Sequence, residues 1–228
     1  MSEAMISESI VEAEWLLKGY WTKMRFAYQT KKGGWSDIDV LAYEAESKHL
    51  VISESKVRGP KKDIFAYFNQ TKKKYGSILK YDGDHYFTFI QHLSEAINGG
   101  KIFKDFNKMV KSLTIQLVSN YVIDNSLKKE AEDTVLKKVL QQLPGSKYKI
   151  DVKLDTTIDV IARVIELENG HPQGRRYGHP MLDIAREINR YANPNVLFAG
   201  SGNVNTDPVR KQAMESFRKA IGMEITTI

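Results

Sequence analysis

The sequence predicts an α/β protein in which a mixed central sheet carries helices on both faces. Segments with the character of β-strands recur at 34–43, 49–56, 112–119 and 148–154. Segments with the apolar spacing of helices stand between and beside these strands. The chain has 228 residues, of which 42% are hydrophobic, and this is enough for one sizeable core.

Each element follows from its local pattern. An N-terminal helix carries Glu8 and Glu12 on one face, because residues four apart are neighbours on a helix. The strands at 34–43 and 49–56 form a hairpin through a short polar turn at 44–48. Beyond Pro60, which suits a helix start, we expect a helix at 61–80, helix and loop at 81–108, a strand at 112–119, a helix at 127–143, a strand at 148–154 and a helix at 157–168.

The amino-acid composition of the chain changes after residue 168. A loop at 169–180 is rich in Gly, Pro, His and Arg, and helices are expected at 181–191 and 207–221. We therefore expect a main domain at 1–168 and a C-terminal helical extension at 169–228, either appended or packed on the same core. Arg175 and Arg176 fit phosphate contacts, and they fit equally well a surface loop that Gly and Pro shape into turns.

Composition excludes several classes of function. The chain has no cysteine, which excludes disulfides, thiolate catalysis and zinc–cysteine sites. Its start lacks the features of a secretory signal, and no apolar run approaches the length of a membrane span. We therefore expect a cytoplasmic protein without a membrane partner. The net charge of +6 suits a polyanionic partner.

The hairpin at 34–56 carries an unusual set of charges. Asp37 and Asp39 share one face of its first strand, while Glu54 and Lys56 share a face of the second with apolar residues. Both strands are apolar on both sides, which is typical of central, covered strands. Uncompensated burial of such charges costs several kcal/mol each, and a shared cation would offset it. The alternative is an amphipathic hairpin whose charges face solvent.

This charge pattern resembles the core motif of the PD-(D/E)xK nuclease superfamily. Asp39 is separated by fourteen residues from Glu54-Ser55-Lys56, and Ile38 stands where the family usually has Pro. The local form is most similar to the Holliday-junction-resolvase-like and Mrr-like branches, and the resemblance covers roughly residues 5–125. It implies a restriction-endonuclease-like fold. The superfamily also tends to carry a Glu on a preceding helix, a position that both Glu8 and Glu12 fit.

The resemblance implies metal-dependent hydrolysis of DNA phosphodiester bonds. Asp39 and Glu54 would bind Mg²⁺, with Mn²⁺ as a substitute and the Ser55 carbonyl as a third ligand. Lys56 would orient the attacking water and stabilise developing charge, and Glu8 or Glu12 would complete the metal shell. Asp37 stays ambiguous between metal ligand and neighbour of the site. The second hypothesis is a non-catalytic nucleic-acid-binding module on the same fold, and the third is a general α/β enzyme with a different anionic substrate.

Basic residues cluster directly after the motif. Next to a phosphodiester site they fit phosphate contacts, although a lysine run is more often a solvated helix face. RNA stays open beside DNA as the partner, and the resemblance implies a homodimer. The residues expected to contact nucleic acid here are Arg58, Lys61, Lys62, Gln70, Lys72 and Lys73.

Overall fold

The protein is described by a computed structural model at residues 3–30, 32–56, 85–98, 109–119, 125–143, 147–171, 177–192 and 207–222. Within these residues the chain has the predicted α/β character. The predicted helix at 61–80 and the segments 99–108 and 120–124 lie outside them. The elements are α1 Glu3–Leu17, β1 Trp21–Gln29, β2 Trp35–Glu44, β3 His49–Lys56, α2 His85–Asn98, β4 Ser112–Ser119, α3 Asn125–Gln142, β5 Lys149–Thr156, α4 Thr157–Asn169, α5 Pro180–Ala192 and α6 Asp207–Ala220.

The five strands form one mixed sheet in the order β1-β2-β3-β4-β5. β1, β2 and β3 are antiparallel neighbours, whereas β3, β4 and β5 run parallel. β3 is therefore the central strand, with an antiparallel partner on one side and a parallel partner on the other. The predicted mixed sheet and the β2–β3 hairpin are confirmed, and none of the described helices is long and apolar enough to cross a membrane.

β1 is the strand that sequence reasoning missed. Met24, Phe26 and Tyr28 alternate along it with residues that are charged, small or polar, which is the two-residue period of a strand. The signal was therefore present between α1 and the hairpin. β1 pairs with β2 from Trp35 to Tyr43 and makes β2 an interior strand.

Helices cover both faces of the sheet, as predicted. One face carries the hydrophobic core, in which Leu50 and Ile52 of β3 and Ile115 of β4 pack with Leu93 of α2 and Val135 of α3. The alternating residues of β3 and β4 point the other way and meet α1. α1 ends at Leu17, and the φ of +83° at the following Gly19 allows the amide of Tyr20 to reach back to the Trp15 carbonyl at 3.0 Å.

A buried polar network fastens α1 to the sheet. Gln116 of β4 uses all of its hydrogen-bonding groups. Its amide oxygen accepts from Trp15 Nε1 at 2.9 Å and from Ser53 Oγ at 2.7 Å. Its amide nitrogen donates to Glu14 at 3.3 Å and to Asp155 at 2.9 Å. Gln116 is thus joined directly to Trp15, which lies 101 positions earlier in the chain.

Arg163 is the cation that donates hydrogen bonds to both acids of this network. Its Nε lies 2.8 Å from Glu14 Oε1 and its Nη2 lies 2.8 Å from Asp155 Oδ2. Burial by itself raises the pKa of Glu14, but hydrogen bonds from Arg163 and Lys18 outweigh it and lower this pKa to about 2. Arg163 can reach both acids because α4 begins directly after β5.

The chain divides into two compact units at 1–163 and 164–228. The division falls inside α4, slightly before the predicted boundary at residue 168. In the second unit, buried Glu168 accepts hydrogen bonds from Arg186 Nε at 2.8 Å and from Asn189 Nδ2 at 2.7 Å. Tyr177 lies over the Arg186 guanidinium at 4.1 Å. These contacts join the end of α4 to α5.

Candidate functional site

The predicted site lies where the ladder between β2 and β3 ends. Val40 and Ser53 form the last pair of that ladder. Beyond it, Asp39 Oδ2 accepts a hydrogen bond from the backbone amide of Ser55 at 2.6 Å. The Asp39 carboxylate therefore lies against the peptide that joins Glu54 to Ser55. Only 7% of Asp39 is exposed, so this contact holds a nearly buried acid in a defined position.

Glu54 is buried in the centre of the sheet, with 1% of its surface exposed. Its partner on β4 is Leu117, and it follows Leu50 and Ile52 on the core face of β3. A carboxylate in such surroundings is costly unless hydrogen bonds, a positive charge or a metal ion stabilise it. The inward placement predicted for Glu54 is confirmed.

The strand alternation is interrupted beside Asp39. Ile38 and Leu41 both belong to the hydrophobic core, although residues three apart in a regular strand point to opposite faces. On β1, Arg25 lies opposite Asp39, between the paired residues Met24–Val40 and Phe26–Ile38. Its φ is 52°. Positive φ is uncommon for residues other than glycine and often marks functional sites.

Arg25 is joined to the predicted helical acid Glu8. Its Nε and Nη2 lie 2.9 Å and 3.0 Å from the two carboxylate oxygens of Glu8. Hydrogen bonding and charge from Glu8 raise the pKa of Arg25 above its usual range, and the charges of Asp37 and Asp39 add to this effect. Glu8, Arg25, Asp37 and Asp39 therefore form one electrostatic group. The Arg25 side chain is 49% exposed, so it faces solvent as well as Glu8.

The two helical acids differ in what they contact. Glu12 accepts a hydrogen bond from Thr22 Oγ1 at 2.8 Å, one helical turn from Glu8. Glu8 is the acid that contacts the site, because its partner Arg25 lies opposite Asp39. Asp37 is exposed on the strand that leads to Asp39.

Of the other predicted site residues, Lys56 is described only in its backbone, and the rest lie outside the described part of the chain. Lys56 is the last residue of β3 and pairs with Ser119, but its side chain is not among those described. The predicted nucleic-acid contacts at Arg58, Lys61, Lys62, Gln70, Lys72, Lys73, Arg175 and Arg176 also lie outside the described residues.

The acids present fit a small magnesium site. Across the described residues, no three His, Asp or Glu side chains are grouped so that they could hold a metal ion. Mg²⁺ does not require such a group, because it commonly takes one or two carboxylates and keeps several waters. Asp39 Oδ2 already accepts from Ser55, and a carboxylate has about four acceptor positions. Asp39, Glu54 and a main-chain oxygen therefore have the donor chemistry that Mg²⁺ prefers.

Arg25 is the member of the site that sequence reasoning missed. Its position in an alternating strand between the helical acids and the hairpin could have indicated it, had β1 been recognised. Its contact with Glu8, seventeen residues away, depends on how α1 packs on the sheet.

Comparisons with known proteins leave the family open. No family model matches the chain, and no curated protein matches it. A solved structure titled "Crystal Structure of Protein of Unknown Function AF1548" is 15% identical and covers 96% of this chain and 99% of its own. Its TM-score is 0.37, too low to support an argument about fold or function.

Proposed function

We propose that the protein is a metal-dependent DNA endonuclease of the PD-(D/E)xK type, with a restriction-endonuclease-like fold. The observation that carries the proposal is the 2.6 Å bond between Asp39 Oδ2 and the Ser55 amide, beside buried Glu54. It supports a site in which two acids from neighbouring strands act together. Glu8 on the N-terminal helix adds support, because it hydrogen-bonds Arg25, which also feels the charge of Asp39.

Each residue has a role that its environment supports. Asp39, Glu54 and the Ser55 carbonyl would hold Mg²⁺ or Mn²⁺. The bound ion supplies Lewis-acid activation of the phosphate and a water of lowered pKa. The Ser55 amide keeps Asp39 oriented, which limits rearrangement during the reaction. Lys56, two residues after Glu54, would orient the attacking water and stabilise the negative charge that develops during the reaction.

Arg25 adds a phosphate-binding group to this site. Its guanidinium is half exposed and lies in the field of Asp39, while Glu8 fixes its orientation through two hydrogen bonds. Arginine binds phosphate through two parallel hydrogen bonds. We assign Arg25 to the phosphate next to the bond that is cut, with Glu8 as its positioning residue.

The decisive experiment is a cleavage assay on supercoiled, linear, single-stranded and branched DNA. We expect cleavage of at least one substrate with Mg²⁺ or Mn²⁺, complete loss with a chelator, and recovery when metal is returned. Equal cleavage in the chelator would contradict a metal-dependent mechanism. Binding without cleavage of any substrate would favour the second function below.

A non-catalytic nucleic-acid-binding module is the second function with a specific observation in its favour. Glu8 accepts two hydrogen bonds from Arg25. In the described ranges, no three acids or histidines lie close enough together to hold a metal ion. An arginine that neutralises an acidic site would suit binding without turnover. The same assay separates the two functions, because a binding module retains DNA in the presence and absence of metal.

Removal of Arg25 should weaken DNA binding and lower its salt dependence. We expect Arg25→Gly to weaken binding about tenfold and to reduce the slope of log K against log salt by about 1. Glycine accepts the φ of 52°, so this variant removes the guanidinium without adding backbone strain. Fluorescence anisotropy in a chelator at several salt concentrations measures both quantities.

Lys23 provides the matched control for Arg25. It is an exposed cation two residues away on the same strand. Lys23→Gly should change the affinity by no more than about twofold, since a single surface charge at a distance from the site contributes little. Equal effects of the two variants would show that Arg25 contributes only general positive charge.

A further inference from the structure

The end of the β1–β2 hairpin presents an exposed tryptophan. Trp35, the first residue of β2, is 77% exposed. Tyr28 and Ile38 of the same hairpin point into the core, so the alternating residues Trp35 and Asp37 point away from it. A single exposed aromatic ring is common on protein surfaces, so what it does depends on the residues around it.

Trp35 and Asp39 lie on the same strand, β2. The two residues are four positions apart, which corresponds to roughly 13 Å along a strand. The positions between them on β1 are occupied by Ala27, opposite Asp37, and Gln29, opposite Trp35. Both are exposed, and neither carries a large side chain that would close the surface. Among the described residues, the exposed side chains of β1 between Trp35 and Arg25 are therefore only the small Ala27 and the polar Gln29.

The hairpin end is closed by hydrogen bonds. The amide of Thr30 donates to the Gly34 carbonyl at 2.8 Å, and the amide of Gly33 donates to the Thr30 carbonyl at 3.0 Å. Gly33 has a φ of +84°, a conformation that favours glycine. The side chain of Gln29 also donates to the Gly33 carbonyl at 3.2 Å. Trp35 therefore stands next to a defined turn.

We propose that Trp35 is a stacking platform for an unpaired nucleobase of the DNA strand that is cut. This inference rests on the proposed nuclease function and names its substrate class: DNA with unpaired nucleotides next to the cleavage site. Aromatic side chains bind single strands by stacking on bases of any sequence. Bases within an intact duplex are stacked on each other and do not offer a free face to the indole.

The surroundings of Trp35 favour nucleic acid over a protein partner. Exposed Lys32 lies in the adjacent turn, and Arg25 lies four residues before Gln29, the β1 partner of Trp35. These cations suit the phosphates on either side of a stacked base. The described strand and turn neighbours of Trp35 are polar, charged or small, so on β1 and β2 the ring is not part of a broad apolar patch of the kind that marks protein interfaces.

Tryptophan fluorescence tests the proposal directly. In a Trp21→Phe background the two remaining tryptophans are buried Trp15 and exposed Trp35. We expect a single-stranded oligothymidylate, added in a chelator, to quench Trp35 fluorescence, and a blunt hairpin duplex to quench it much less. Quenching by both to the same extent, or by neither, would overturn the proposal.

Matched alanine variants complete the test. Trp35→Ala should weaken binding of the oligothymidylate about tenfold or more. Trp21→Ala removes an equally exposed tryptophan (81%) from the opposite end of the hairpin and should leave binding within about twofold. Equal effects of the two variants would overturn the proposal, as would an unchanged affinity of Trp35→Ala with an altered oligomeric state, which would assign the ring to a protein contact.

The test separates failure of the stacking site from failure of the proposed function. It measures binding without metal and is therefore independent of cleavage. Quenching with no cleavage of any DNA would retain the stacking platform and overturn the nuclease. Cleavage of DNA without quenching would retain the nuclease and overturn the stacking platform.

Discussion

Asp39→Asn and Glu54→Gln should each lower the rate of DNA cleavage by roughly 10²–10³-fold or more, while DNA binding is retained. Each substitution keeps the size of the side chain and removes its charge, so the site loses a metal ligand of the preferred kind. The amide oxygen introduced by Asp39→Asn could still accept from the Ser55 amide, which preserves the local backbone contact. Single-turnover cleavage in Mg²⁺ measures the rate, and anisotropy in a chelator measures binding.

Two further variants extend this series: Lys56→Ala tests a third site residue, and Asp37→Asn is the control. Lys56→Ala should abolish cleavage in the same way, because Lys56 would position the attacking water. Asp37→Asn removes an exposed acid two residues from Asp39 and should retain most of the cleavage rate. Parental rates for both Asp39→Asn and Glu54→Gln would show that the site is assigned to the wrong residues. Loss of binding together with cleavage would instead indicate that these acids maintain the fold.

Arg163→Met should lower the free energy of unfolding by about 3 kcal/mol, at the low end of the range for breaking a buried ion pair. The substitution keeps an aliphatic chain but removes the guanidinium that donates hydrogen bonds to both Glu14 and Asp155. Lys18 and Lys153 also contact these acids, which limits the loss. Urea unfolding followed by tryptophan fluorescence measures it, since all three tryptophans lie in the unit at 1–163.

An exposed ion pair in the same unit serves as the control. Lys129 and Asp133 lie 3.7 Å apart with both side chains largely in solvent. Lys129→Met should therefore change the free energy of unfolding by less than about 1 kcal/mol. A similar loss in Lys129→Met and Arg163→Met would argue that Arg163 contributes no more than a surface charge.

The pH dependence gives an independent measure of the same network. The pKa of Glu14 is lowered from 4.5 to about 2 in the folded protein, so folding favours its charged form. This contribution to stability is complete above about pH 4.5 and is lost as the pH falls towards 2. The difference in unfolding free energy between the parent and Glu14→Gln should shrink over this window. A constant difference would contradict the ionic role of Glu14.

Local patterns accounted for most of the elements. β2 to β5 and α3 to α6 begin and end within a few residues of the predicted positions, because the two-residue and helical periods are properties of short segments. β1 was missed although Met24, Phe26 and Tyr28 carry the same period. The placement of Asp39 and Glu54 on adjoining strands was also predictable, since a five-residue turn leaves a hairpin as the simplest connection.

Strand alternation and a short turn are local properties, and they suffice to place Asp39 and Glu54 on neighbouring strands with little exposure. The partners of the acids on α1 follow instead from long-range packing. Glu8 meets Arg25, Glu12 meets Thr22, and Glu14 meets Arg163, which is 149 residues away. The physical reason is that these partners come from strands and helices whose neighbours are set by the order of the sheet, and a local pattern carries no record of that order.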